Sequence, residues 1–187
     1  RGGVIWAGYT DENGQIADIP LVPDTYKFRE VSAPDGYELS LKDYPFYVSD
    51  EGRVWGETSF SNDVTRFFVK KVNEKCEALE GTEFGLKNAD GKIVMTAVSD
   101  ENGIATFEKV SVGEYTIVEL KPTEGYIMSE VAVPVTVTST YINPTEPLAV
   151  IDNCPNEVTV KKVDQNGAPL SGASFGLFNV IDKPLMH

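Results

Sequence analysis

The chain has 187 residues, 41% of them hydrophobic and 10% aromatic, enough to build one or two domains with real cores, which excludes a disordered tail. Its 29 acidic against 16 basic residues leave a formal net charge of −13, which repels phosphate backbones and anionic lipid surfaces, so no nucleic acid partner is expected. No apolar run approaches the ~18 residues of a membrane span, so no membrane insertion is expected within this segment.

In chain order, RGGVIWAGYT lacks the layout of a signal peptide and runs into the turn cluster DENG, Asp11 to Gly14. Tyr26 to Tyr37, YKFREVSAPDGY, reads as a strand entering a Pro/Gly turn, with Tyr26, Phe28 and Glu30 on one face. Ser40 to Glu57 reads as a loop or extended hairpin at a domain end. In the next strand Phe67 and Val69 share a face with Lys71. Short runs of Val, Ile, Thr, Tyr and Phe then alternate with the turn clusters NADGK, SDENG and SVGE. YTIVELKPTEGY, Tyr115 to Tyr126, repeats the earlier design with Tyr115, Ile117 and Glu119 on one face. A second such segment, Ser139 to Leu148, likewise a loop or extended hairpin, precedes a short strand in which Ala149, Ile151 and Asn153 face the same way. Nothing reads as a long helix; short strands at roughly ten-residue spacing predict an all-β antiparallel sandwich with Greek-key-like connections.

Self-comparison sets the domain plan. At an offset of 89 residues DENG recurs at Asp100 to Gly103, and Tyr26, Glu30, Gly36 and Tyr37 fall on Tyr115, Glu119, Gly125 and Tyr126. At an offset of 91, VKKVNEKCEALEGTEFGL (69–86) lies on VKKVDQNGAPLSGASFGL (160–177) with nine of 18 positions identical. The expected units are an incomplete one over 1–62 lacking its opening strands, a complete one over 63–154, and the opening strands of a further one over 155–187. Residues 157–187 and 1–62 could together make one whole unit, within one molecule or head to tail between neighbours. The alternative is a slice of a longer array.

Three polar residues break the core pattern of the middle unit: Lys71, Glu119 and Asn153. The first and last strands of a sandwich unit can lie side by side while a third crosses from the facing sheet, which would bring the three together. Desolvation lowers the pKa of a lysine and raises that of a glutamate, so such a pair can sit as amine and acid. A neutral Lys71 could attack the carboxamide carbon of Asn153 while Glu119 polarises the carbonyl oxygen and shuttles protons, with ammonia leaving. This is one turnover per molecule, not an enzyme acting on a substrate. The ordinary alternative is that Lys71 snorkels beside Lys70, Glu119 pairs with it, and Asn153 is a turn residue.

VKKVNEKCEALEGTEFGLKNADGK, YTIVELKPTEGY and AVIDN resemble the CnaB-type (SpaA-like, prealbumin-like) domains of Gram-positive surface pilins and adhesins, over essentially the whole chain. The resemblance implies tandem Ig-like or prealbumin-like sandwiches and an intramolecular isopeptide bond with Lys71 as donor, Asn153 as acceptor and Glu119 as catalyst. For the incomplete units it implies Lys162 as a donor, Glu30 as catalyst and Asn62 as an acceptor. Asn73 stands where the family carries Asp, and PTEGY replaces A-P-x-G-Y. It further implies a stalk module on the cell-wall-anchored surface of a Gram-positive bacterium. Neighbouring repeats are then its partners; the competing reading is an adhesin module that binds a host protein or glycan.

Other motifs carry less chemistry. DENG is too short for a calcium loop and reads as a hairpin turn, so no metal and no cofactor is expected. Cys76 follows Lys71 by five residues and Cys154 follows Asn153 by one, which leaves a disulfide between them open either way. His187 is the single histidine and the last residue, so no Ser-His-Asp or Cys-His arrangement is expected.

Overall fold

The structure is a computed structural model that describes residues 3–177. The ends of the terminal units, including His187, lie outside the described residues. Among the described residues ten strands form: β1 (Asp24–Arg29), β2 (Asp43–Val48), β3 (Val54–Gly56), β4 (Arg66–Asn73), β5 (Glu83–Asn88), β6 (Ile93–Val98), β7 (Ile104–Glu108), β8 (Gly113–Lys121), β9 (Ala132–Val137) and β10 (Val150–Asn153).

The middle unit is a two-layer sandwich. One sheet runs β10-β4-β7 and the other β6-β5-β8-β9. Alternation supplies the core: Phe67, Val69, Ala105, Phe107 and Ile151 face inward from the first sheet, and Phe84, Leu86, Ile117, Val133, Val135 and Val137 from the second. The expected antiparallel pairing holds except at one place, where β10 lies parallel to β4. The long segment after β9 brings the chain back to the end from which β4 starts, so the two strands run the same way. In β8 the pattern places Tyr115, Ile117 and Glu119 on the inner face, and its register against β5 shifts beside Phe84, the partner of Glu119. Such a bulge re-aims a neighbouring side chain.

One turn recurs throughout the chain. Asp11, Asn73, Asn88, Asp100 and Asp164 each accept backbone N–H groups two and four residues on through the side-chain oxygen. The fourth residue of each turn has positive φ: Gly14, Cys76, Gly91, Gly103 and Gly167. DENG is thus a turn, as expected. Cys76 stands at φ 62° where its four counterparts are glycine.

The outer segments keep these turns without building strands around them. Residues 4–22 match β6 and β7 by repeat position, yet Val4 and Tyr9 are 85% and 91% exposed. In the middle unit β6 pairs with β5, and β7 with β4. Among the described residues nothing pairs with 4–22 in those places, and a strand without a neighbour has no ladder to satisfy its backbone. The first unit therefore consists of the sheet β1-β2-β3, with Tyr26 and Phe28 stacked on Phe46 and Phe60 tilted against Phe28 and Tyr44. The segment 40–57, open as loop or hairpin, contains the β2-β3 hairpin, whereas 139–148 is irregular.

Candidate functional site

Lys71, Glu119 and Asn153 meet in the middle unit. Strand register makes Lys71 a neighbour of Ile151 on β10, two residues before Asn153, and β8 crosses from the facing sheet. Lys71 is fully buried, Asn153 is 3% exposed and Glu119 6%. Lys71 Nζ donates to Asn153 Oδ1 at 2.5 Å, and Asn153 Nδ2 donates to Glu119 Oε1 at 2.8 Å. Glu119 Oε2 faces Nζ at 3.1 Å and has no other partner.

Burial is the main influence on the amine. It pushes Lys71 below the ordinary lysine range, opposed by the Glu119 carboxylate and, more weakly, by Asp152. Removal of a charged amine from water costs several kcal/mol, and one carboxylate returns only part of it. A salt bridge alone is therefore a poor reason to bury these groups. What the arrangement can do chemically is hold an amine, a carboxamide and a proton carrier in contact without solvent.

The expectation for Glu119 changes in one respect. Its Oε1 meets the amide nitrogen of Asn153, not the carbonyl oxygen. The carboxyl group thus lies beside the nitrogen that an attack on Asn153 Cγ would release.

Gly103 was legible in the sequence only as a turn glycine. Its φ is 76°, its carbonyl accepts the Lys71 N–H at 2.7 Å, and a Cβ there would collide with the Lys71 carbonyl oxygen. The DENG turn thus fixes the backbone from which the lysine projects. Asn73 acts in its own turn and binds Glu77, away from the amine.

The first unit holds two of its three expected residues together. Asn62 Nδ2 donates to Glu30 Oε1 at 2.7 Å, and the Ser40 N–H donates to Glu30 Oε2 at 2.8 Å. This reproduces the Asn153–Glu119 contact. Lys162 is exposed and, among the described residues, makes no hydrogen bond or ion pair to either. The disulfide left open by the sequence is not formed: Cys76 and Cys154 are both free and exposed. Their spacing from Lys71 and Asn153 has other causes, since Cys76 closes the Asn73 turn and the Cys154 carbonyl accepts the Ile127 N–H.

A family model described as the SpaA prealbumin-like fold domain matches residues 4–63 and again 65–146. The chain belongs to this family. The two SpaA matches abut at residue 64, and Asn153 and Lys162 lie beyond the second. Among curated proteins, Colossin-A of Dictyostelium discoideum is 28% identical over 138 residues, covering 63% of this chain and 1% of its own length. Among solved structures, the Bacillus anthracis TIE protein aligns with TM-score 0.45 and 20% identity over 78% of this chain and 28% of its own. BcpA, the major pilin subunit of Bacillus cereus, aligns with TM-score 0.42 and 20% identity over 66% and 40%. The shaft pilin SpaA of Lactobacillus rhamnosus GG gives TM-score 0.42 and 17% identity over 81% and 70%. This SpaA-family chain spans only a small part of the first relative in each comparison.

Proposed function

We propose that this chain is a structural stalk module of an extracellular pilin or adhesin, on the cell wall of a Gram-positive bacterium, whose middle unit closes an amide between Lys71 and Asn153. The contact of Lys71, Glu119 and Asn153 inside a dry core carries the reading. One proton passes from the Lys71 ammonium to Glu119 Oε2. The freed amine attacks Asn153 Cγ, a C–N bond forms, and the bond from Cγ to Nδ2 breaks. Of the three ammonium protons, one stays in the new amide, one departs with ammonia and one remains on Glu119.

The topology explains what such a bond does. Tension enters the unit at the start of β4 and leaves after β10. With Lys71 joined to Asn153 it passes along β4, across the link and out through Cys154. Strands β5 to β9 then stand outside the load path. A bond closing 82 residues also restricts the unfolded chain, worth about 4.5 kcal/mol by the loop-closure relation for disulfides.

The same reading makes Glu30 and Asn62 the catalyst and acceptor of a second crosslink, and Lys162 the donor of a further one. Each is completed by a repeat partner, in a longer array or in a neighbouring molecule. Intact mass tests the middle bond: the purified folded chain falls short of its sequence mass by one ammonia, and Lys71→Ala restores it. A full mass in the folded wild type sinks the mechanism. Covalent oligomers on a denaturing gel, lost in Lys162→Ala, would assign Lys162 to Asn62 of another copy.

A further inference from the structure

We infer that the APDGY turn of one unit and the β7-β8 corner of the next form a clasp that locks successive units in one orientation, so that the array is a stiff rod. This goes beyond the crosslink, which acts inside a unit. Only residues 63–65 separate Asn62 from β4, and they are not a free tether. Tyr37 bridges Val64, the Glu38 N–H donates to the Asp63 carbonyl at 2.8 Å, and the Thr65 N–H donates to the Gly36 carbonyl at 2.9 Å. The Thr65 carbonyl then accepts the Lys109 N–H at 2.8 Å. Thr65 thus connects the turn of the first unit to the corner of the second, and at 2% exposure it has no room to swivel.

Side chains close the clasp from both sides. Ser111 Oγ donates to Asp35 Oδ2 at 2.6 Å. Lys109 has φ 55°, its backbone lies against Gly36, and its Nζ sits 5.9 Å over the Tyr37 ring. On the other side Asn143 Oδ1 accepts the Arg66 N–H, its Nδ2 donates to the Val64 carbonyl, and its backbone N–H donates to Glu38 Oε1. The loop that carries Asn143 is itself stapled to β4, with the Tyr141 ring edge-on to Phe67 and the Leu148 N–H on the Phe68 carbonyl. A single exposed hydrogen bond contributes little, so it is their number around a three-residue linker ending in the buried Thr65 that fixes the angle.

The backbone half of the clasp recurs one repeat later. Tyr126 bridges Pro155, the Asn156 N–H donates to the Gly125 carbonyl at 2.7 Å, and the Ile127 N–H donates to the Cys154 carbonyl at 3.0 Å. These are the same contacts shifted by 89 residues in the turn and 91 in the linker. The Gly-Tyr turn is therefore a docking surface whose partner is a following repeat of this chain, one with a hydroxyl and a left-handed residue at its β7-β8 corner.

Residual dipolar couplings on the full chain test this. Residues 24–62 and 66–153 of the wild type report one common alignment tensor, and both Asn143→Ala and Asp35→Ala with Ser111→Ala lose it. Separate tensors in the wild type, or a common tensor retained in both variants, overturn the clasp. The paired Asp35 and Ser111 variant guards against loss of folding in Asn143→Ala, since neither residue lies in the core. All variants still lose one ammonia, so failure of the clasp and failure of the crosslink are read separately.

Discussion

Lys71 is held by opposing forces, and their balance can be tested with pH. Burial depresses its folded-state pKa from the ordinary 10.5, and Glu119 pulls it back. With the proposed proton carrier gone, Glu119→Gln should form no bond, and burial is then opposed only by the weaker pull of Asp152. Between the depressed value and 10.5 the unfolded chain binds more protons than the folded one, so stability rises with pH in that window. Urea melts of Glu119→Gln from neutral pH upward should show increasing midpoints, and a flat profile would mean the amine is not desolvated. Two turn residues make a second test. Cys76→Gly relieves a left-handed non-glycine residue and should stabilise by on the order of 1 kcal/mol. Gly103→Ala places a methyl group against the Lys71 carbonyl and should both lower the melting temperature and slow ammonia loss.

At the scale of elements, turns and strands obey different rules. The Asx turns at Asp11 and Asp164 form although the segments around them build no sheet, because a side-chain oxygen and a following positive-φ residue suffice. Residues 160–177 share nine of 18 positions with the opening of the middle unit, yet Val158, just before them, is 77% exposed while its counterpart Phe67 is fully buried. The difference is the neighbour. Hydrogen exchange should therefore find β4, β8 and β10 strongly protected and residues 4–22 and 158–177 exchanging at nearly unprotected rates. Protection across 158–164 in the isolated chain would show that this segment has found a sheet edge.

At the scale of the molecule the consequence is mechanical. Pulled from its ends, the uncrosslinked middle unit of Lys71→Ala should release the stretch from position 71 to Asn153, 82 positions apart, roughly 280 Å of extended chain. With the proposed link in place, the wild type should show no such step in single-molecule force extension. Thermal melts should place Lys71→Ala roughly 20 °C below the wild type, which follows from about 4.5 kcal/mol in a domain of this size. An unchanged melting temperature together with an unchanged mass would leave Lys71 as an ordinary buried cation.

Much of this was legible in residues alone. The alternation in β4, β8 and β10 put a lysine, a glutamate and an asparagine on inward faces, and the repeat at 89 and 91 residues gave the expected bounds of each unit. Local chemistry also determined the turns, since they need nothing beyond four or five residues. What only the tertiary structure decided is pairing: that β10 runs parallel to β4, that Glu119 meets the amide nitrogen, that Gly103 backs Lys71, and that Cys76 and Cys154 stay apart in role. These depend on which distant segment supplies the next strand and on which side of the site the amide lies, and sequence periodicity specifies a face but not a neighbour. The segments 4–22 and 158–177 show this most directly, because the same patterns that become strands inside the middle unit remain open chain where no neighbour covers them.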